Sequence, residues 1–311
     1  MRPEPRLAVV YEHPEWFNPL FAVLERRGIP YLPLRIDEHH FDLSEREPPA
    51  PVIFSRVAMS SFLRQGQHAI FYAQSLYAHW AQAGARIING NPALAVDTSK
   101  ARQMSLINAL GYATPATRVV HRREDLPRAA QGLRFPLVVK VNIGGSGAGV
   151  VRYDSLEQLT QAVAEGTTPE SIDSVLLVQE FIPTRDRRVV RAETLDGRFL
   201  YAISLTTDGG SFDLCPADAC RVGKPAITIT RTDLDADTVR AVEAISRAAH
   251  MELCGIEFMI DERDGSRRFY DINGLSNFVA RPLEVLGWDP HEQLVDYLEK
   301  VLATARHGEA A

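Results

Sequence analysis

The sequence predicts an α/β protein whose central and C-terminal parts turn to α+β. Three observations carry this. In the first third, short apolar runs alternate with segments of helical spacing that stop on Gly28 and Gly84, a pattern that implies a parallel sheet covered by helices. Further on, apolar runs follow one another with hairpin-like breaks such as Asp196-Gly197, as antiparallel strands do. The length, 311 residues, exceeds one small domain and predicts two or three.

In chain order, "RLAVVY" reads as a strand, "PEWFNPLFAVLERRG" as a helix and "PVIFS" as a second strand. "HAIFYAQSLYAHWAQAG" is an amphipathic helix whose aromatic residues face a core or a dimer partner, and "RIING" is another strand. The acidic "SEREPPAP" is a loop, and His39 and His40 in "IDEHHFD" read as solvated rather than metal-binding. Asn-Gly-Asn-Pro in "INGNPALAVDTSKARQMSLINALG" is loop chemistry. Asp97 or Thr98 is expected to cap the helix that follows, which stops at Gly111. A boundary is placed near residue 95.

Beyond it, "ATRVV", "FPLVVKV" and "GVVRY" are strands, and a Ser155–Gln158 capping box opens the helix "SLEQLTQAVAEG". "SVLLVQEFI", "RRVVRAET" and "RFLYAISL" are further strands, followed by the long amphipathic helix "DADTVRAVEAISRAAHM". "CGIEFMID" and "SRRFYDIN" pair across "ERDG", whose neighbours Asp261, Glu262 and Asp264 read as solvated turn residues. "DPHEQLVDYLEKVLATA" closes the fold.

Composition narrows the function. The chain is 45% apolar and 24% charged, ordinary for a globular protein with a large core, and its net charge of −6 without a basic tract argues against nucleic acid. "MRPEPRLAVV" has no signal-peptide character, and no apolar run approaches the roughly 20 residues a bilayer needs, so no membrane association is expected. Three cysteines, Cys215, Cys220 and Cys254, form no C-x-x-C and give neither a disulfide framework nor a zinc site; a reducing cytoplasm is expected.

Two constellations carry chemistry. "FPLVVKVNIGGSGAGVVRY" places Lys140 ahead of glycines 144, 145, 147 and 149 and exits into β-branched residues. It matches no Walker loop, and a strand rather than a helix follows, so it is no Rossmann turn either. What remains is a glycine hairpin whose backbone N–H groups can close over phosphates. Strand alternation puts Lys140 and Asn142 on one face. A lysine in an apolar strand needs a partner, either a phosphate or a structural carboxylate. The second constellation is Glu257 in one apolar strand with Asp271 and Asn273 alternating on the next. Carboxylates this close repel unless a cation sits between them, and hard oxygen donors favour Mg2+ or Mn2+. Together they point to ATP with a metal bridging its phosphates.

In this order and spacing, from about residue 95 to 285, the chain resembles the ATP-grasp superfamily, and within it the RimK-type carboxylate–amine ligases. The resemblance implies a three-part architecture: residues 1–95 an N-terminal parallel-sheet α/β domain, 96–178 a central subdomain with the glycine flap, and 179–311 a C-terminal subdomain with the metal cluster. ATP would lie between the last two. It implies phosphate contacts from Lys100 and Lys140 and from Gly144, Gly145, Ser146 and Gly147. Adenine would lie against the hinge Gln179, Glu180, Phe181 and Ile182, with backbone bonds around Glu180 and Phe181. A nearby acid would hold the ribose, and Asp186 belongs with these nucleotide contacts. Arg188 would face the second substrate, Arg188 or Arg281 would anchor a substrate carboxylate, Arg221 would steady the transferred phosphate, and Glu257, Asp271 and Asn273 would hold the metal. "NGLSNF" and "SFDLCPADACRVG" depart from the family pattern, so Ser276 and Asn277 receive no role and the acceptor is not read.

The implied reaction activates a carboxylate as an acyl phosphate and condenses it with an amine, releasing ADP and phosphate. The substrates are small molecules, an amino acid or a peptide, and relatives often form homo-oligomers. The alternatives are a kinase that phosphorylates a small-molecule hydroxyl and a non-catalytic nucleotide-binding regulator.

Overall fold

The computed structural model describes residues 6–65, 68–145, 147–184, 187–207 and 227–305. The N-terminal region runs β1 (Leu7–Tyr11), α1 (Asn18–Arg26), β2 (Tyr31–Arg35), β3 (Val52–Arg56), α2 (Phe62–Gln65), α3 (Ala69–Gln82) and β4 (Arg86–Ile88). Its strands form a parallel sheet in the order β2-β1-β3-β4. Sequence patterning passes over β2 because Pro33 interrupts it; the strand lies at the sheet edge, where a missing N–H costs no ladder bond. The aromatic helix faces the core, with Tyr77 and Trp80 buried. His39 is not a solvated residue: its Nδ1 meets the Tyr72 hydroxyl at 2.9 Å, and its ring stands edge-on to Trp80.

Half of the Asn-Gly-Asn-Pro junction is loop, with Asn89 at φ +51° and Gly90 extended, and the other half opens α4 (Asn91–Asp97), with Pro92 in the first turn. The next helix, α5 (Lys100–Ala109), is capped by Ser99, whose side chain accepts from the Arg102 N–H, and not by Asp97 or Thr98. Asp97 is instead the last residue of α4, and Thr98 bonds back to the Leu94 carbonyl. β5 (Thr117–Val120), α6 (Leu126–Ala130), β6 (Leu137–Val141), β7 (Val150–Tyr153), α7 (Leu156–Ala164) and β8 (Leu176–Glu180) follow. Their strands make a small antiparallel sheet, β5-β8-β6-β7. The Ser155 side chain accepts from the Gln158 N–H, and the Gln158 side chain reaches back to the Asp154 N–H, a box shifted by one residue.

A larger antiparallel sheet, β11-β10-β9-β12-β13, is built from β9 (Val189–Leu195), β10 (Arg198–Thr207), β11 (Ile227–Thr232), β12 (Leu253–Ile260) and β13 (Arg267–Asn273). α8 (Ala236–Ala248) precedes β12, and α9 (Pro282–Val285) and α10 (Pro290–Ala305) end the described chain. Asp196 and Gly197, at φ +54° and +68°, form the two-residue turn between β9 and β10. Asp261 is not solvated, since it is buried and paired with Arg263 and Arg268, whereas Asp264 stays at the surface.

Strand alternation assigns faces to cores. Leu7 and Val9 of β1 join Ile203 and Leu205 of β10 and Leu294, Val295 and Leu298 of α10 in one cluster shared by the parallel sheet and the larger antiparallel sheet. Ala8 and Val10 pack with α3 on the opposite side. The other face of the larger sheet packs on α8 and α5, and the small sheet has its own cluster with α6 and α7. Among the described residues no helix is long and apolar enough to cross a membrane.

Candidate active site

The three sheets converge on a cavity of about 690 Å³, within the range of small-molecule and cofactor sites. Lys140 enters from β6, and the glycine segment joins β6 to β7 across the antiparallel pair Lys140↔Val150. Leu137, Val139 and Val141 point into the small-sheet core, which leaves Val138 and Lys140 to the cavity. Asn142, expected beside Lys140, is buried and serves as a clip: its Oδ1 accepts from the Ser99 hydroxyl and the Ala101 N–H, and its Nδ2 donates to Asp173. The glycines have steric reasons. A Cβ on Gly145 would stand 2.8 Å from Ser60 Cβ, and Gly149, at φ +70°, would strike Val141. The flap therefore rests on the N-terminal loop.

From the other side come Glu257 on β12 and Asp271 on β13, directly paired in register. The register shifts just after Glu257, leaving Tyr270 as the extra residue on β13. A bulge of this kind turns consecutive side chains toward one side, and both Tyr270 and Asp271 line the cavity. Lys100, the first residue of α5, bonds Asp271 at 2.6 Å. Burial works against its charge, but Asp271 and Glu257 outweigh this and hold its pKa above the ordinary lysine value. Lys140 has its ammonium 5.2 Å from the centre of the Tyr270 ring. Burial, aided by repulsion from Lys100, pushes its pKa down to about 8. Glu257 accepts from Tyr270 at 2.6 Å and from Arg191 at 2.9 Å, yet burial and the nearby Asp271 still raise its pKa.

Oxygen donors for a divalent cation are present. Among the described residues no group of three or more His, Cys, Asp or Glu side chains makes a metal site; the cluster consists of two carboxylates and an amide. The Asn273 amide nitrogen donates to the Gly255 carbonyl and to Asp271, which leaves its oxygen for a cation. Each Glu257 oxygen accepts one bond in the protein and keeps lone-pair capacity. This hard-oxygen donor set fits Mg2+ or Mn2+.

At the hinge, Gln179, Glu180, Phe181 and Ile182 all line the cavity. The backbone pairing expected around Glu180 and Phe181 is altered, because their N–H groups already donate to the Ala116 and Pro136 carbonyls. The next N–H, that of Ile182, makes no hydrogen bond among the described residues. The Gln179 side chain turns to Thr117, and Glu180 accepts from the Arg134 N–H.

Lys100, Lys140, Gly144, Gly145, Gly147, Glu257, Asp271 and Asn273 thus share one cavity with the hinge. Two predicted residues do not join them. Arg188 is exposed and donates to Thr232, because its neighbour Arg187 takes the cavity-lining place. Arg281 is exposed and pairs with Glu284 one turn along α9. Ser146, Asp186 and Arg221, with Cys215 and Cys220, lie outside the described residues.

Sequence reasoning missed Asp97, Arg191, Tyr270 and Arg152. Asp97 faces the cavity and accepts from the Gly274 N–H; burial, with Asp271 nearby, raises its pKa to about 7. Arg191 bridges Glu193 and Glu257 across β9 and β12, in space that Gly255 leaves open. Its sequence signal was a basic residue alternating with Glu193 inside an apolar strand. Arg152 lies over the Phe181 ring at 4.8 Å.

The profile of the RimK-like ATP-grasp domain matches residues 97–296. The chain belongs to this family. Within the RimK-like ATP-grasp family and its relatives, the chain is 32% identical over 125 residues to a D-alanine–D-alanine ligase of Hydrogenovibrio crunogenus, covering 40% of this chain and 38% of that ligase. The matched stretch is therefore about two fifths of the relative's length. A structure of the ATP-grasp ligase PsnB complexed with minimal precursor superposes with a TM-score of 0.70 at 15% identity, covering 95% of this chain and 99% of that one. The D-alanine–D-alanine ligase from Bacillus anthracis complexed with ATP gives 0.70 at 16% identity, covering 98% and 99%. At these identities the structural likeness establishes the ATP-grasp fold, an α/β architecture with one parallel and two antiparallel sheets.

Proposed function

We propose that this protein is an ATP-dependent ligase that activates a carboxylate as an acyl phosphate and condenses it with an amine, releasing ADP and phosphate. One observation carries the reading: two lysines, a glycine flap and an oxygen cluster, from elements far apart in sequence, line a single cavity. The substrates are a small carboxylate and an amine, each an amino acid or a peptide, and the reading includes a cytoplasmic location, where ATP is available.

Lys100 and Lys140 neutralise phosphate oxygens, so Lys100 exchanges part of its bond to Asp271 for the nucleotide. The Ile182 N–H would be available to the adenine edge, with Arg152 over Phe181 at that end. Glu257, Asp271 and Asn273 would hold Mg2+ or Mn2+, with Arg191 and Tyr270 fixing the Glu257 carboxylate. When bound, the metal supplies charge neutralisation on the phosphates. The flap, seated on Ser60, excludes water that would hydrolyse an activated acid. Arg187, which lines the cavity where Arg188 does not, would anchor a substrate carboxylate, and the steadying of the transferred phosphate is assigned to Arg221.

The test is a pairwise screen of amino acids and dipeptides for ADP release with Mg-ATP, with products identified by mass. ADP release that needs both an acid and an amine, with a product lighter by one water than their sum, is expected. A stable phosphorylated alcohol would replace the ligase reading with a kinase.

A further inference from the structure

Arg56, at the end of β3, is only 2% exposed, yet it carries a full guanidinium. It lies over the rings of Phe17 and Phe54, at 5.4 and 4.8 Å. One of its nitrogens donates to the Ser276 carbonyl and, at 3.4 Å, to the side-chain oxygen of Asn277. Ser276 and Asn277 belong to the loop after β13, where the sequence departs from its family's pattern. Asn277 lines the cavity, whereas Arg56 stands behind the wall.

This arrangement settles which way the amide points. A guanidinium only donates, so the Asn277 atom facing it is the oxygen. The Nδ2 group, which makes no hydrogen bond among the described residues, is left to the cavity. The wall segments that Arg56 draws together contribute Trp16, Met59, Ser60, Leu275 and Phe278, and none of these ionises at neutral pH. We propose that Asn277, locked by Arg56, is a specificity-determining donor that receives a carboxylate or carbonyl oxygen of a substrate with an uncharged, apolar body. This deepens the ligase reading and rests on it for the word substrate.

The test measures binding and so does not depend on turnover. Leucine, leucinamide, alanyl-alanine and glutamate are titrated by ligand-observed NMR against the wild-type protein and the Asn277→Ala and Asn277→Asp variants. Asn277→Asp keeps a partner for Arg56 but replaces the cavity-facing donor with an acceptor. Leucine or alanyl-alanine is expected to bind in preference to glutamate, and both variants should weaken that binding about ten-fold or more while leaving Mg-ATP affinity within about two-fold. Leucinamide binding like leucine marks the carbonyl as the recognised group; loss with leucinamide marks the carboxylate. In Arg56→Gln the amide is free to turn, so adding Asn277→Ala should cost less than it does in the wild type. Failure of every apolar probe to bind, glutamate binding as tightly as leucine, or unchanged affinity in both Asn277 variants overturns the proposal. Binding that behaves as expected without ADP release in the pairwise screen would instead remove the ligase reading alone.

Discussion

Lys140 shows how one side chain can be costly to the fold and useful to the site. It sits among Val138, Val139 and Val141 with an aromatic face as its neighbour. No packed cluster depends on its ammonium, so Lys140→Ala should keep the thermal transition of the wild type while turnover falls by ~100-fold or more, the scale seen on removing one charge-stabilising group. Unfolding of the variant would make the lysine structural. Asp97 offers a pH test. Its carboxyl is raised from 3.8 to about 7, mainly by burial. Between those values the folded protein holds a proton that the unfolded chain has lost, so this residue makes stability fall as pH rises through that window. Asp97→Asn should remove the loss, so its denaturation midpoint should gain on the wild type at pH 8 but not at pH 4. An equal difference at both pH values would refute the assignment. Asp97 also shows where sequence reading stops. A carboxylate just ahead of a helix reads as a cap, and only the fold reveals that Ser99 holds that post and frees Asp97 for the cavity.

Among elements, local chemistry was the most readable. Glycine stops, the Ser155 cap and the Asp196-Gly197 turn all rest on near neighbours and form where the residues predict, with only the return bond of the box shifted to Asp154. The strands β6, β7, β12 and β13, with Lys140, Glu257, Asp271 and Asn273 on them, were legible for the same reason. What escaped depends on contacts distant in sequence. β2 contains a proline that only an edge position tolerates, Arg191 reads as an odd charge until Glu257 comes alongside, and the Tyr270 bulge exists only in the pairing. The β9–β12 pairing gives its own test. An added Cβ at Gly255 would lie 2.3–2.5 Å from the Arg191 guanidinium. Gly255→Ala should therefore push that buried group off Glu257 and cost about 1–3 kcal/mol, as overpacking does, measurable by urea denaturation. A change under about 0.5 kcal/mol would show that Arg191 moves aside freely.

At the level of the molecule, the parallel sheet and the larger antiparallel sheet share one apolar cluster, with α10 closing it. Leu298 is fully buried there. Leu298→Ala should lose about 2–5 kcal/mol, and both sheets should melt together, so far-UV circular dichroism and tryptophan fluorescence would report a single transition. Two separated transitions would mean that the halves are independent. The small sheet is organised differently, around a cluster of its own. The parallel sheet and the larger antiparallel sheet thus form one apolar unit beside the metal-type oxygens and the Asn277 wall, while Lys140 sits on a sheet with a core of its own. A nucleotide held between Lys140 and those oxygens would therefore tie two separate cores together, and its binding would raise the melting temperature of both.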